Sequence, residues 1–457
     1  MACLASATAT DTSIGKIVFC GDSITQGAGR GIGPGYRYQV FKNFVDNDVA
    51  YTPVGTQNTA GKATPDYRGV AYNRANQGHS GWWASDLNGT KGSHPSIVNW
   101  TGQSKKLPNG QPYNGASYTP DTVYLMAGTN DFGHNTGNPP STDEVVSRIQ
   151  KCMEQYKKSN PKAKIYISSI PLMSKNDVKS GATYNERVED VNQKLKKEAA
   201  AKGYMFIDTM EGIRGKTDAD SNFALGDQLH PNAHGELIMA GNIARAMGIG
   251  QRNAGLARKA ASDTALFKSL SKKSVPKASG TAWKPIAQQR GFILKSTGES
   301  YIQQNAASTG FADSTGYTCE CSLKLLPGKE VNTFSIAMGD GTNHGLLNIT
   351  EDKTSWGDQV LYISDNTKGI NHFRVVYLPG NAADGILPGY YVWRDGVLIG
   401  EALASATGAT HDGLQAGALP GSTGVNAGLA ALSWSNKGTF APDLNKARPG
   451  APKRGSK

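Results

Sequence analysis

Residues 16–23 read Lys-Ile-Val-Phe-Cys-Gly-Asp-Ser. Ile17 to Cys20 are apolar in succession, and the run stops at Gly21. A short continuous apolar run suits a strand covered on both faces, the kind that builds parallel sheets. Gly21-Asp22-Ser23 then lies at the carboxyl end of that strand, the edge where α/β sheets bind ligands. A helical turn beginning there favours negative charge near Ser23 through its dipole. Alone, Gly-Asp-Ser reads first as a plain N-cap serine.

Outward from this stretch, residues 14–250 alternate strand-like and helix-like segments. Tyr36–Val45 has helical spacing through Tyr38, Phe41 and Val45. Thr122–Met126 is a second apolar strand. Thr142–Lys158 is amphipathic, with Val145, Ile149, Met153 and Tyr156 on one side. Ser141 is its expected N-cap, with Glu144 completing a capping box. Lys164–Ile170 is a third strand and Thr183–Ala201 a long helix closed by Gly203. Tyr204–Asp208 is a fourth strand and Ala233–Met247 a last helix. This alternation predicts a parallel sheet with helices on both faces.

The texture then changes twice. Residues 251–284 are rich in Lys, Arg, Ser and Ala and read as a basic linker. Residues 285–443 carry short alternating segments separated by Gly, Asn and Asp turns. Tyr317–Leu325, Thr333–Ala337, Gln359–Ile363, Phe373–Leu378 and Tyr390–Arg394 are expected strands. Asp395-Gly396 before Val397–Ile399 is a hairpin signal. The pattern is that of an antiparallel β sandwich. Residues 444–457 read as a disordered basic tail.

The chain of 457 residues has a formal net charge of +11, with 38% hydrophobic residues, 55 Gly and 21 Pro. This length suits two or three domains. Residues 251–284 and 444–457 together hold +12, so both expected domains are close to neutral. That distribution argues for solvated connecting segments rather than a nucleic-acid-binding face. No apolar run approaches the roughly 18 residues of a membrane span. Five Cys exclude a disulfide-built scaffold. Cys20 is expected as a buried thiol, Cys319 and Cys321 as neighbours on one strand face, and none has metal-site spacing. Met1–Ser13, rich in small residues, is similar to the cleavage end of a secretory signal without its basic and apolar regions, and is also compatible with an ordinary terminus.

Two nucleotide-binding patterns fail. Gly27, Gly29, Gly31 and Gly33 miss the GxGxxG spacing, with Ile32 and Pro34 where a third glycine is required. Gly61-Lys62 is followed by Ala63 where a P-loop needs a hydroxyl, and Thr56 stands where its first glycine belongs.

A different set fits one chemistry. A serine hydroxyl is a poor nucleophile until a base removes its proton. His230 in Asp227-Gln-Leu-His230-Pro231 is the natural base, and Asp227, three residues earlier, can orient its ring and stabilise the imidazolium. Pro231 suits the start of the following helix. Gly128-Thr-Asn130-Asp131 follows a strand, so the Asn130 amide can donate to a developing oxyanion. Asn76-Gln-Gly78-His79-Ser80-Gly81 is a loop whose backbone N–H groups can do the same, or an ordinary turn.

In their order, Gly21-Asp22-Ser23, Gly81, Gly128-Thr-Asn130-Asp131 and Asp227-x-x-His230 resemble the four blocks of the SGNH (GDSL) hydrolase superfamily, over about residues 14–250. The resemblance implies a three-layer α/β/α domain and a two-step esterase reaction without metal or organic cofactor. It implies Ser23 as nucleophile and first oxyanion donor, Gly81 as second donor with Gly78 the fallback, Asn130 as third, His230 as base and Asp227 as its orienting acid.

Gly21–Gly27, Pro34-Gly35-Tyr36-Arg37 and Gly78-His-Ser-Gly81-Trp82 are similar to secreted acetylxylan-type esterases; sialic-acid O-acetylesterases stay open. The implied substrate is an acetylated carbohydrate, with Trp82, His79 and Tyr36 as candidate contacts. Trp82 and Trp83 suit a sugar platform or loop packing. Site loops rich in Asn, Gly, Thr and Tyr favour a polar ester over the alternative, a lipid or general carboxylesterase on the same residues. Asp22 reads as a structural hydrogen-bond acceptor. The C-terminal region resembles a concanavalin/laminin-G-like jelly roll around His372-Phe373-Arg374 and Tyr390–Gly396, a kind of module that binds glycans, with Trp356, Trp393 and Trp434 as stacking faces or core. A non-catalytic glycan-binding protein is the alternative of another class. The expected location is secreted, periplasmic or at the cell surface.

Overall fold

The computed structural model describes residues 13–27, 35–58, 65–84, 118–132, 139–172, 178–179, 182–213, 223, 229–249, 257–258, 268–269, 283–285, 292–297, 299–328, 332–381, 386–405, 412–420, 424–437 and 439–441. It divides into two compact units, Met1–Met210 with Lys216–Ile249, and Glu211–Gly215 with Gly250–Lys457.

In the first unit the strands of the main sheet are β1 (Gly15–Gly21), β2 (Tyr51–Val54), β3 (Gln77–Gly78), β4 (Thr122–Met126), β5 (Lys164–Ser168) and β6 (Met205–Ile207). They pair in parallel in the order β2-β1-β4-β5-β6. Where β2 leaves β1 after Val18, β3 takes over beside Cys20 and Gly21. The apolar run Ile17 to Cys20 is therefore part of an inner strand. Strand β2 was not expected. It contains Pro53, which a sheet edge tolerates because no ladder hydrogen bond is lost there.

The helices are α1 (Ser23–Gln26), α2 (Tyr36–Asp46), α3 (Thr129–Phe132), α4 (Thr142–Ser159), α5 (Tyr184–Lys202) and α6 (Ala233–Ala246). Their caps explain their bounds. Ser141 Oγ accepts from Glu144 N–H at 3.2 Å, and acidic residues open α4 while Lys157 and Lys158 close it, complementing the dipole. Thr183 and Glu186 form a reciprocal capping box, and Gly203 ends α5 with φ of 69°. Asn232 caps α6 through the N–H groups of His234 and Gly235.

Alternation along the strands makes three layers. Val18, Cys20, Val123, Leu125, Ile165 and Ile167 pack with Val145, Ile149 and Met153 of α4 and Val188, Val191 and Leu195 of α5. On the other face Phe19 and Tyr124 meet Tyr36, with ring centroids 6.3 and 5.7 Å away, and α2 packs on α6. Burying each such side chain is worth roughly 1.5–3 kcal/mol before entropy is counted. The buried face of α2 is Tyr36, Val40, Phe41 and Phe44, turned from the expected Tyr38, Phe41 and Val45.

The second unit holds two antiparallel sheets, a β sandwich. One runs, among the described residues, Trp283–Pro285, Phe292–Ser296, Val425–Ser435, Tyr317–Leu325, Asn371–Leu378, Gly389–Arg394 and Val397–Leu403. The other runs Ser300–Asn305, Asp412–Ala418, Phe334–Asp340, His344–Ile349, Lys353–Trp356 and Gln359–Ile363. Cys319 and Cys321 are both buried on one face, as their alternation requires. Residues 251–284 are not a plain linker. Ala257–Arg258 pairs with Phe440–Ala441 as a separate two-stranded parallel sheet, while Lys268–Ser269 pairs with Ser433–Trp434 and Trp283–Pro285 with Phe292–Leu294 in the first sheet. Trp356, Trp393 and Trp434 are core residues at 6, 1 and 4% exposure, so none offers a stacking face. No helix among the described residues is long and apolar enough to cross a membrane. Most of Met1–Ser13, residues 28–34 and the tail 444–457 lie outside the described residues.

Candidate active site

Ser23 begins α1, directly where β1 ends. Asp22 is the N-cap: its Oδ1 accepts from Ile24 N–H at 3.0 Å, in keeping with a structural acceptor. Burial pushes the Asp22 carboxyl up to about 6, while the Thr129 hydroxyl, the Ile24 N–H and His230 pull it back. Gly21 has to be glycine, because a Cβ there would lie 2.2 Å from the Met126 carbonyl of the neighbouring strand.

His230 precedes α6, and its Nε2 lies 2.8 Å from Ser23 Oγ. Residues 207 apart in sequence thus meet at hydrogen-bond distance, a geometry that permits proton transfer between them. The expected orienting acid, Asp227, lies outside the described residues.

The loop after β3 folds back over α1. His79 N–H donates to the Gly21 carbonyl at 2.9 Å and Ser80 N–H to Gln26 Oε1 at 2.8 Å. Gly78 N–H donates to Asn76 Oδ1 at 2.7 Å, and Trp82 N–H to the His79 carbonyl at 3.2 Å. Of the N–H groups from Gly78 to Trp82, only that of Gly81 has no acceptor among the described residues. The fallback donor Gly78 is therefore occupied. Gly81 has φ of 76° in open space, a conformation natural to glycine. The N–H of Ser23, at the first position of α1, also has no acceptor among the described residues.

Asn130 lies in α3, behind β4, at 8% exposure. Its Nδ2 donates to the Trp82 carbonyl at 2.9 Å, which fixes the amide and leaves a second N–H. The neighbouring Asp131 accepts from Ala84 N–H at 2.8 Å.

The expected substrate contacts fare differently. Tyr36 is corrected: it is fully buried, with its hydroxyl 3.0 Å from Thr25 Oγ1, and supports the turn that carries Ser23 from within the core. His79 is buried, 3.1 Å from Gln57 Nε2, and burial lowers its pKa to about 4. Trp82 is half-buried, and one face is covered by His79, with centroids 3.9 Å apart and planes at 15°. Trp83 is buried at 8% exposure. Gln26 and Asn76 hold the loop through their side-chain oxygens, a role that sequence reasoning did not assign to them. Among the described residues no group of three His, Cys, Asp or Glu side chains is disposed to hold a metal ion.

Residues 19–238, just under half of the chain, match the model of the GDSL-like Lipase/Acylhydrolase family. Among solved structures, the chain is similar to an acetylxylan esterase from Geobacillus stearothermophilus at 18% identity, over 52% of this chain and 96% of that one, with a TM-score of 0.35. A family 3 carbohydrate esterase from Talaromyces cellulolyticus is 20% identical over 50% and 94% of the two chains, with a TM-score of 0.34. A GDSL-like lipase from Bacteroides thetaiotaomicron is 17% identical over 51% and 87%, with a TM-score of 0.34. No curated protein matches the chain.

Proposed function

We propose that the protein is a serine ester hydrolase that removes O-acetyl groups from carbohydrate. The carrying observation is the 2.8 Å contact between Ser23 Oγ and His230 Nε2. Ser23 Oγ attacks the ester carbonyl as His230 Nε2 takes its proton. The carbonyl oxygen becomes an oxyanion facing the N–H of Ser23, the N–H of Gly81 and the second N–H of Asn130. As the tetrahedral intermediate collapses, the C–O bond to the sugar breaks and His230 returns the proton to the departing alcohol oxygen. Water then attacks the acyl-serine with His230 as base, releasing acetate and restoring Ser23. Asp227 is assigned the orientation of the His230 ring. These steps draw on side chains, backbone and water alone.

The carbohydrate reading is supported by the polar character of the site loops. The exposed large apolar residues among those described are Val70, Met205, Ile293, Ile370 and Leu387, and none belongs to the four site segments. A lipid substrate calls for a broad apolar surface beside the nucleophile. We carry export as part of this proposal, on the small-residue segment 1–13.

Acetate release from acetylated xylan, acetylated sialic acid and an aryl acetate, with Ser23→Ala alongside, tests the reading. Release from an acetylated sugar that Ser23→Ala abolishes is expected. Equal release by both proteins removes Ser23 as nucleophile. Preference for long-chain aryl esters removes the carbohydrate. Binding of the glycan without any release makes this a binding protein.

A further inference from the structure

Arg37 is a charged side chain at 3% exposure, and no carboxylate pairs with it among the described residues. All of its hydrogen bonds run to neutral oxygens. Nε donates to the Thr25 carbonyl at 2.6 Å and Nη2 to the Gln26 carbonyl at 3.0 Å. Nη1 donates to Tyr72 Oη at 3.1 Å and to the Arg74 carbonyl at 3.3 Å. The first two acceptors end the four-residue helix that Ser23 begins. The other two lie on the segment that runs into Asn76 and β3, and so into the loop bearing Gly81.

Helix α1 is too short to satisfy its own last carbonyls. The N–H of Gln26 and of Gly27 bond back to Asp22 and Ser23, which leaves Thr25 and Gln26 without intrahelical partners. A buried guanidinium is an expensive cap where a water or a neutral amide would serve. A planar fork can hold acceptors on two segments at a fixed spacing, which a point charge cannot. The spacing it holds separates Ser23 from the Gly81 N–H. The two segments also meet at Gly78, where an added Cβ would lie 2.2 Å from Gln26 N.

We propose that Arg37 is a positioning residue for the ester hydrolysis: it fixes the nucleophile turn against the oxyanion loop and touches no substrate. The proposal rests on the esterase reading above. In the full chain, Arg37→Lys keeps the charge and loses the fork. Its kcat on an aryl acetate is expected to fall about 10²-fold, the cost of an ångström-scale misplacement, with KM little changed. Amide hydrogen exchange is expected to quicken in residues 21–27 and 76–82 and not in α5. Methylguanidinium added to Arg37→Ala is expected to restore part of kcat, which a general loss of stability would not permit. A kcat within about threefold of wild type, a loss carried by KM, or unchanged exchange in both segments overturns the assignment. Where the Arg37 variants do not fold, Tyr72→Phe removes one acceptor and no charge. A severalfold fall in kcat at constant KM is then expected, and an unchanged kcat overturns the proposal. Wild type no more active than Ser23→Ala is a different failure, that of the esterase reading itself.

Discussion

Asn130 Nδ2 lies 2.9 Å from the Trp82 carbonyl, so the third block of the site holds the second. Removing the amide takes away a proposed oxyanion donor and releases the loop that presents another. Asn130→Ala is expected to lower kcat by about 10²–10³, the usual cost of one such donor. Its KM should change less, and near-ultraviolet dichroism should report the altered Trp82 environment. An Asn130→Ala enzyme with wild-type kcat removes Asn130 from the reaction.

Gly78 and Gly81 differ in what they lack room for. A Cβ on Gly78 would lie 2.2–2.6 Å from backbone atoms of Gln26 and Thr25, so that main chain must give way. Gly78→Ala is expected to cost roughly 1–3 kcal/mol in stability, as overpacking does. It should also depress kcat, because the displaced atoms belong to the helix bearing Ser23. At Gly81 a Cβ meets nothing within 4 Å, and the cost is the left-handed φ of 76° alone, about 1–2 kcal/mol. Thermal melts and steady-state kinetics on the two variants check the contrast.

The pH dependence of stability has a defined sign at Asp22. Its carboxyl ionises near 3.8 in an unfolded chain and, because of burial, at about 6 in the fold. Between these values the folded state holds more protons, so the contribution is complete below 3.8 and is lost as pH rises through about 6. At 1.36 kcal/mol per pH unit the loss is roughly 3 kcal/mol. His79, lowered to about 4 by burial, acts with the opposite sign in an overlapping window. The comparison is therefore between proteins and not along one curve. Asp22→Asn keeps an acceptor for the Ile24 N–H and loses the titration. Its stability relative to wild type should rise by roughly 3 kcal/mol from pH 4 to pH 7 in urea melts. A difference constant with pH removes the assignment.

Much of the α/β unit was legible because its local signals agree. Ile17 to Cys20 and Thr122 to Met126 are apolar on both faces, and Ser141, Thr183 and Gly203 mark helix ends by chemistry that needs no tertiary context. Strand β2 was missed because Pro53 and only two large side chains carry no period. The face of α2 was misjudged because Arg37 is buried, and a charged residue reads as solvated until its acceptors are known. Residues 251–284 were read as a linker from composition, whereas the short strand pairings there use backbone and leave little trace in side-chain choice. The Ser23–His230 contact was accessible as residue types in order, since reactivity constrains them. Gly81 was named through the resemblance and not through its own chemistry, because the availability of its N–H among the described residues emerges only after the neighbours' acceptors are counted. Tyr36 and the three sandwich tryptophans show the converse: an aromatic near a site is more often core than platform.

The sandwich offers a test independent of catalysis. Asp395 and Gly396 form a two-residue loop between the paired residues Arg394 and Val397, with φ of 47° and 82°. Both central residues lie in the left-handed region, the conformation of a type I′ turn, whose twist matches the strands it joins. Asp395 tolerates it in part because its Oδ1 accepts from His372 N–H at 2.9 Å, and its own N–H donates to the His372 carbonyl at 2.7 Å. Gly396 makes no such exchange and is there for φ alone. Gly396→Ala is expected to destabilise the second unit by about 1–2 kcal/mol. Asp395→Asn should cost less, since asparagine shares the backbone preference and the acceptor. Aryl acetate hydrolysis should be unchanged in both variants at temperatures below the transition. A melt in which Gly396→Ala matches wild type would mean that the turn is not formed in solution.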